Sequence, residues 1–349
     1  MYPSIHNPGY GIFVKNVIEG LCQNGFIIQN KSVIKGRGKN ILEKIIKYIL
    51  FYLSIIVKYF KSCDAVYIHF PTYSVPIVYL LRLIMKRKII INYHGEDLLY
   101  PQHGLSNKLG KITDNFVSKY ADLIIVPSEY YKDIVVKRKI ANKSMVFVSP
   151  SGGIDETIFY DDKKSKISDD GTIHLGFVGR LEENKGITDF IKAIDILSKK
   201  MQCITTIIGY GSLNGLVIDY GKQHENVNVL LGVKQSHLPQ YYRSFDLFIF
   251  PSKRLSESLG LVGLEAMACG TPVIGTNIGG ISSYLNNDNG FLIDINNITN
   301  EIVESVLNYY NMTKEEKHRI SLSAINTAKK YSRTTTCQLL ANEIKLLLQ

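Results

Sequence analysis

A chain of 349 residues exceeds the size of an ordinary single-core domain and implies two. Its five cysteines, Cys22, Cys63, Cys203, Cys269 and Cys337, have no paired spacing, which argues against a disulfide framework or a zinc knuckle and for a reducing compartment, the cytosol. The formal charge of +10 is one-sided: residues 1–150 hold 21 Lys and Arg against 9 Asp and Glu, net +12, and the remainder 20 against 22, net −2. Attraction to an anionic partner therefore belongs to the first half.

In chain order, the start MYPSIHNPGYG lacks the basic-then-apolar layout of a signal peptide, and no run reaches the length of a membrane span. Only turn-like residues precede the Gly9-Tyr10-Gly11 loop and the helix after it, where a doubly wound domain would already have completed a strand. The expectation is a first strand lost to a start placed too late. Residues 41–60, ILEKIIKYILFYLSIIVKYF, mix Lys44, Lys47 and Lys58 into a dense apolar helix, which fits either a membrane-surface helix or a buried one with snorkelling lysines. Lys86-Arg87-Lys88 extends the basic patch. Near-continuous apolar runs predict buried parallel strands at 64–70, 88–93, 122–127 and 145–148. His69 and His94 close the first two; a lone histidine such as His69 is more often structural, and Asp97 reads either as an acceptor contact or as a helix N-cap.

A charged stretch, 161–171, reads as a linker between residues 1–160 and 172–330. Strands are predicted beyond it at 173–179, 204–209, 227–231, 247–250, 272–275 and 291–293, and residues 331–349 read as a final helix. Two doubly wound α/β domains with ligand sites at the carboxyl ends of their strands follow from that alternation.

The most informative run is PSKRLSESLGLVGLEAMACGTPVIGTNIGG, 251–280, in which seven residues separate Glu257 from Glu265. A helix beginning near Gly260 puts Glu265 in its second turn and leaves Glu257, Ser258 and Leu259 on the loop at its positive end. Backbone N–H groups of Gly260, Leu261, Val262 and Gly263 can then cradle a diphosphate, while the carboxylates accept from sugar hydroxyls. A nucleotide sugar matches both halves of such a site.

This run resembles the E-x7-E signature of glycosyltransferase family 4, retaining hexosyltransferases of the GT-B fold. Gly176-Phe-Val-Gly-Arg-Leu with Lys185-Gly resembles the family's phosphate-clamping segment, and Ile208-Gly-Tyr-Gly its next glycine turn. The likeness extends over nearly the whole chain. It implies two Rossmann-like domains facing across a cleft, with the last helix returning to the first. It also implies that Arg180 and Lys185, with Gly179 and Gly209, grip the donor diphosphate, that Glu257 binds the hexose and Glu265 the ribose, and that Ser258 and Leu259 help orient the sugar. His94 resembles the family's histidine beside the donor hexose, Gly9 and Gly11 its first-domain glycine loop, and Ser151-Gly152-Gly153 its interdomain turn. His69 and Asp97 are kept as acceptor-side candidates. The tail departs from the family pattern at Tyr331-Ser332-Arg333, and the chain has no tryptophan.

No Asp-x-Asp triplet occurs, so protein cations rather than a divalent metal are expected to carry the leaving-group charge, and no cofactor is implied. Zinc-finger spacing, a basic zipper and an RNP-like run are all missing, which argues against nucleic acid as partner. A first-strand G-x-G-x-x-G is missing too, which argues against a nucleotide-dependent dehydrogenase. The expected activity is metal-independent transfer of a hexose, with retention, from a UDP- or GDP-linked donor to a membrane-held glycan or lipid-linked acceptor. The expected setting is surface polysaccharide assembly at the inner face of a bacterial membrane. An inactive nucleotide-sugar binder lacking its first strand is the alternative.

Overall fold

The computed structural model describes residues 1–5, 10–36, 38, 40–100, 103–162 and 171–349. The chain divides into two compact units: residues 1–153 with 333–349, and residues 154–332. The division at Gly153 lies ahead of the expected boundary at 160 because Ile154 and Phe159 are already buried in the second unit's core and the Ile154 N–H donates to the Tyr331 carbonyl. Most of the expected linker, 163–170, lies outside the described residues.

The first unit begins with α1 (Ile12–Gln23) and α2 (Ile41–Tyr59). Then β1 (Ala65–His69), α3 (Pro71–Ile84), β2 (Lys88–Asn92), α4 (Gly104–Tyr120), β3 (Leu123–Val126), α5 (Glu129–Lys137) and β4 (Val146–Val148) follow. The strands form one parallel sheet in the order β1-β2-β3-β4. Because side chains alternate across a strand, Ile89, Ile91, Ile124 and Val126 enter the core under α3, α4 and α5, whereas Ile90, Leu123 and Ile125 pack against α1 and the last helix, α12 (Arg333–Leu348). Both faces are covered, which explains apolar runs without polar alternation. Among the described residues ahead of α1 there is no strand; Tyr2 makes an isolated parallel bridge to Lys35.

The second unit contains β5 (Ile173–Arg180), α6 (Ile187–Leu197), β6 (Cys203–Tyr210), α7 (Asn214–Gln223), β7 (Val227–Leu230) and α8 (Leu238–Ser244). It continues with β8 (Leu247–Phe250), α9 (Leu261–Ala268), β9 (Val273–Thr276), β10 (Gly290–Ile293), α10 (Ile298–Asn311) and α11 (Lys314–Lys329). Its parallel sheet runs β10-β9-β8-β5-β6-β7. From β5 the chain winds outward through β6 and β7, then returns to the other side of β5 as β8. The loops leaving β5 and β8 therefore flank the point where strand order reverses, the place where open α/β sheets bind ligands. All ten strands lie within one residue of the sequence expectation at each end.

The helix of residues 41–60 is not buried. Asn40 caps α2 by accepting from the Glu43 N–H, Tyr59 is its one buried residue, and Leu42, Ile45, Ile46, Ile49, Leu53 and Val57 are exposed. Their spacing of three and four residues lines them along one side of the helix.

Candidate active site

The site in the second unit is built by the loops after β5 and β8. A short 3-10 turn, Glu183–Lys185, follows β5, and α6 starts after Gly186, whose φ is 74°. A Cβ at Gly186 would meet the Pro251 carbonyl oxygen at 1.9 Å, so only glycine lets the two loops approach this closely. As a result Lys185 Nζ reaches Glu257 Oε2 at 2.5 Å, with both side chains largely buried at 13% and 12% exposure. Ser252, fully buried, donates from Oγ to the same carboxylate oxygen at 3.0 Å, and its carbonyl accepts from Thr276 Oγ1 at 2.6 Å. Glu257 is thus aimed by one cation and one hydroxyl.

The backbone of this loop is supported from behind by Gly279 and Gly280. The Gly280 N–H donates to the Glu257 carbonyl at 2.8 Å, and a Cβ there would lie 2.1 Å from the Ser258 carbonyl oxygen. These glycines stand at the end of the diagnostic sequence run, but their contact with residues 257–258 is visible only in three dimensions.

The loop then enters α9 through Gly260, whose φ of 78° is left-handed and which offers no side-chain cap. The Gly263 N–H bonds back to the Gly260 carbonyl, so the anion cradle expected from residues 260–263 rests on the earlier amides and the helix dipole. Leu261 and Val262 pack partly against the core. Leu259 differs from expectation: its side chain is 1% exposed inside the core, which leaves only its backbone for ligand contact. Ser258 remains part-exposed on the loop.

Glu265, in the second turn of α9, is 5% exposed and accepts from Gln235 Nε2 at 3.0 Å and Tyr242 Oη at 3.1 Å. Burial pushes its carboxyl up to about 7, against the opposing pull of those two donors. Gln235 and Tyr242 carried no motif in the sequence; proximity to Glu265 singles them out.

Arg180 ends β5 with a half-exposed guanidinium paired to Glu182 at 2.9 Å. Gly179 and Gly209 lie opposite each other in the β5–β6 register, and a Cβ on Gly209 would strike the Gly179 carbonyl oxygen at 1.8 Å. The structure therefore brings Lys185 and Glu257 together, leaves Arg180 at the end of β5 paired to Glu182, and buries Glu265 separately on α9 against Gln235 and Tyr242.

In the first unit, His94 follows β2 and stacks on Phe70 at a ring separation of 4.4 Å, with Phe13 at 4.6 Å. His69 Nδ1 lies 3.0 Å from His94 Nε2, so the two rings share one proton position. Burial lowers both; His69 falls to about 3, and His94 is held down further by its neighbour. Both imidazoles are neutral at pH 7. Asp97 accepts from the His94 and Gly95 N–H groups at 2.8 Å each and starts no helix, which corrects the N-cap alternative: its carboxylate ties up the turn that presents His94. Gly11, at φ 74°, backs onto the Met1 and Tyr2 backbone, while Gly9 lies outside the described residues.

Among the described residues no cluster of three His, Cys, Asp or Glu could hold a metal ion, and no helix is long and apolar enough to cross a membrane.

Two family models match almost end to end: "Glycosyltransferase Family 4" over residues 23–152 and "Glycosyl transferases group 1" over 159–326. A D-inositol 3-phosphate glycosyltransferase of Paenarthrobacter aurescens is 28% identical over 84% of this chain and 73% of its own. The capsular polysaccharide biosynthesis glycosyltransferase CapM of Staphylococcus aureus is 30% identical over 49% of this chain and 48% of its own. Sucrose-phosphate synthase from Thermosynechococcus elongatus superposes with a TM-score of 0.76 at 17% identity over 99% of both chains. Anabaena HepE in complex with UDP-glucose superposes at 0.68 and 17% identity, over 97% of this chain and 96% of that one. With the paired glutamates, the cationic loops and the doubly parallel architecture in place, these matches establish that the chain belongs to the family 4 glycosyltransferases, hexosyltransferases of the GT-B fold.

Proposed function

We propose that the protein transfers a hexose from a uridine diphosphate sugar to a glycan acceptor held at a membrane, with retention and without a divalent metal, in surface polysaccharide assembly. The observation that carries the donor half is the Lys185–Glu257 pair at the topological switch of the second sheet. A diphosphate entering that loop meets the Lys185 ammonium, the Arg180 guanidinium and the free end of α9, three sources of positive potential for the charge that develops on the leaving diphosphate. Glu257, once shared with the ligand, accepts from hexose hydroxyls, and Glu265 accepts from a ribose. The UDP-glucose complex of HepE supports uridine as the base, and CapM supports a polysaccharide product.

The acceptor's setting rests on the first unit. Residues 26–88 hold twelve Lys and Arg against two Asp and Glu, a net +10, and within them α2 exposes its apolar stripe. Apolar side chains flanked by Lys44, Lys47, Lys58 and Lys61 match an anionic bilayer surface, into whose headgroup region such a helix sinks while its lysines stay with phosphates. This reading sets the enzyme on the inner face of a bacterial membrane, where a lipid-linked acceptor is presented.

Calorimetric titration with UDP-glucose, UDP-galactose, UDP-N-acetylglucosamine and GDP-mannose in the presence of EDTA tests the donor half. Selective binding of one UDP-sugar is expected; binding of GDP-mannose alone, or of a donor only after a divalent metal is restored, overturns that part.

A further inference from the structure

Lys253 follows Ser252 in the loop after β8, and none of the donor contacts above requires it. Its side chain reaches to the neighbouring loop and the start of α6. Nζ lies 2.8 Å from Glu183 Oε1 and 2.6 Å from Asp189 Oδ2, while its own N–H donates to the Asn184 carbonyl at 2.9 Å. Glu183 also accepts from Thr188 Oγ1, 2.8 and 2.7 Å from its two carboxylate oxygens. With the Gly186–Pro251 contact, residues 183–189 and 251–253 are joined by backbone packing, one backbone hydrogen bond and a three-charge bridge, on both sides of Lys185.

We propose that Lys253 is a positioning residue for donor binding: it latches the loop after β5 to the loop after β8, so that Lys185 and Glu257 are presented together to one diphosphate sugar. The proposal rests on the reading that these loops bind a nucleotide diphosphate. Without the latch, the 183–186 turn keeps its own hydrogen bonds, Lys185 N–H to Glu182 and Gly186 N–H to Glu183, but loses the bridge that fixes it against Pro251–Lys253. Lys185 then emerges from a turn held to the second loop only by the Gly186–Pro251 packing and the single backbone bond to Asn184. A residue that merely adds surface charge pairing would affect melting slightly and leave ligand coupling untouched, since exposed pairs contribute little.

The test uses the full chain with UDP, and GDP in parallel, as probes. Lys253→Met is expected to weaken UDP binding about ten-fold, the loss typical of a charge-assisted contact. Lys253→Arg, whose fork can span both carboxylates, should recover most of it. In a Lys185→Ala background, Lys253→Met should change affinity less than about two-fold, because the residue it positions is already gone. Amide hydrogen exchange without ligand supplies a second readout: Lys253→Met should speed exchange at Gly186 and at its own residue 253. An equal loss of affinity in the Lys185→Ala background, or unchanged exchange at 186 and 253, overturns the proposal. If neither UDP nor GDP binds the unmodified chain, the nucleotide reading fails, and faster exchange would still show the latch while unchanged exchange would remove it as well.

Discussion

Lys185 Nζ and Glu257 Oε2 lie 2.5 Å apart across 72 residues of sequence, joined only because β5 and β8 are neighbours at the centre of the second sheet. A lysine and a glutamate so paired are oriented and largely buried together before any ligand arrives, so binding a donor at these loops would exchange one set of polar contacts for another. In the proposed function the diphosphate would compete for the ammonium, and the hexose hydroxyls would take its place on the carboxylate.

Lys185→Ala and Glu257→Ala should each lower donor turnover by about 100-fold or more, the scale seen when a charge-stabilising group is removed from an active site. Glu257→Gln should keep part of the hexose contact and fall between. Measurement of UDP release with and without acceptor checks this, and turnover equal to that of the unmodified chain in both alanine variants would exclude these loops as the donor site.

Glu265 gives a pH-dependent prediction of definite sign. Its carboxyl is raised from an ordinary 4.5 to about 7, so between those values the folded state holds more protons than the unfolded chain. Stability contributed by the protonated form is therefore present below the ordinary carboxylate range, falls as pH rises toward about 7, and is gone above it. Glu265→Gln should stabilise the fold more at pH 8 than at pH 5, by an amount on the order of 2–3 kcal/mol at most, while weakening UDP binding by removing the carboxylate proposed to accept from the ribose. Parallel melting curves at the two pH values decide it; an identical shift at both would show that the carboxyl is not raised by burial.

Gly280→Ala should disturb the site without touching a ligand. The added methyl group meets the Ser258 carbonyl at 2.1 Å and the Leu259 Cα at 2.6 Å, so the 257–260 loop must move. A loss of about 1–3 kcal/mol of stability and a clear drop in donor affinity are expected, measured by denaturant unfolding and by UDP titration. Gly215→Ala, on α7 with open space around it, is the matched control and should leave donor affinity unchanged and raise stability by up to about 1 kcal/mol.

Ile49→Glu combined with Leu53→Glu on α2 should abolish sedimentation with anionic phosphatidylglycerol vesicles, because two side chains exposed at 53% and 54% would no longer enter the interface. Binding by the unmodified chain should weaken as salt is raised, since its lysines are screened over about 8–10 Å. Vesicle binding unaffected by the double substitution would remove α2 as the contact. Donor binding should be unchanged throughout, which separates the two halves of the proposed function.

Much of this molecule was legible in its amino-acid order. The ten strands could be read because a parallel strand buried on both faces must be apolar throughout, and the pair Glu257–Glu265 because a helix start and its following turn are local in sequence. The one-sided charge and the apolar stripe of α2 are equally local properties of composition and period. What only the tertiary structure decided is which distant groups meet. Ser252 and Lys185 aim Glu257, Gln235 and Tyr242 hold Glu265, Asp97 is turned onto its own loop, and Leu259 faces the core instead of a sugar. Lys253 and Gly280 carry no signal at all until the loops are folded together. Strand order is the physical reason: a crossover that returns β8 to the side of β5 joins loops some 70 residues apart, and no local pattern records that neighbourhood.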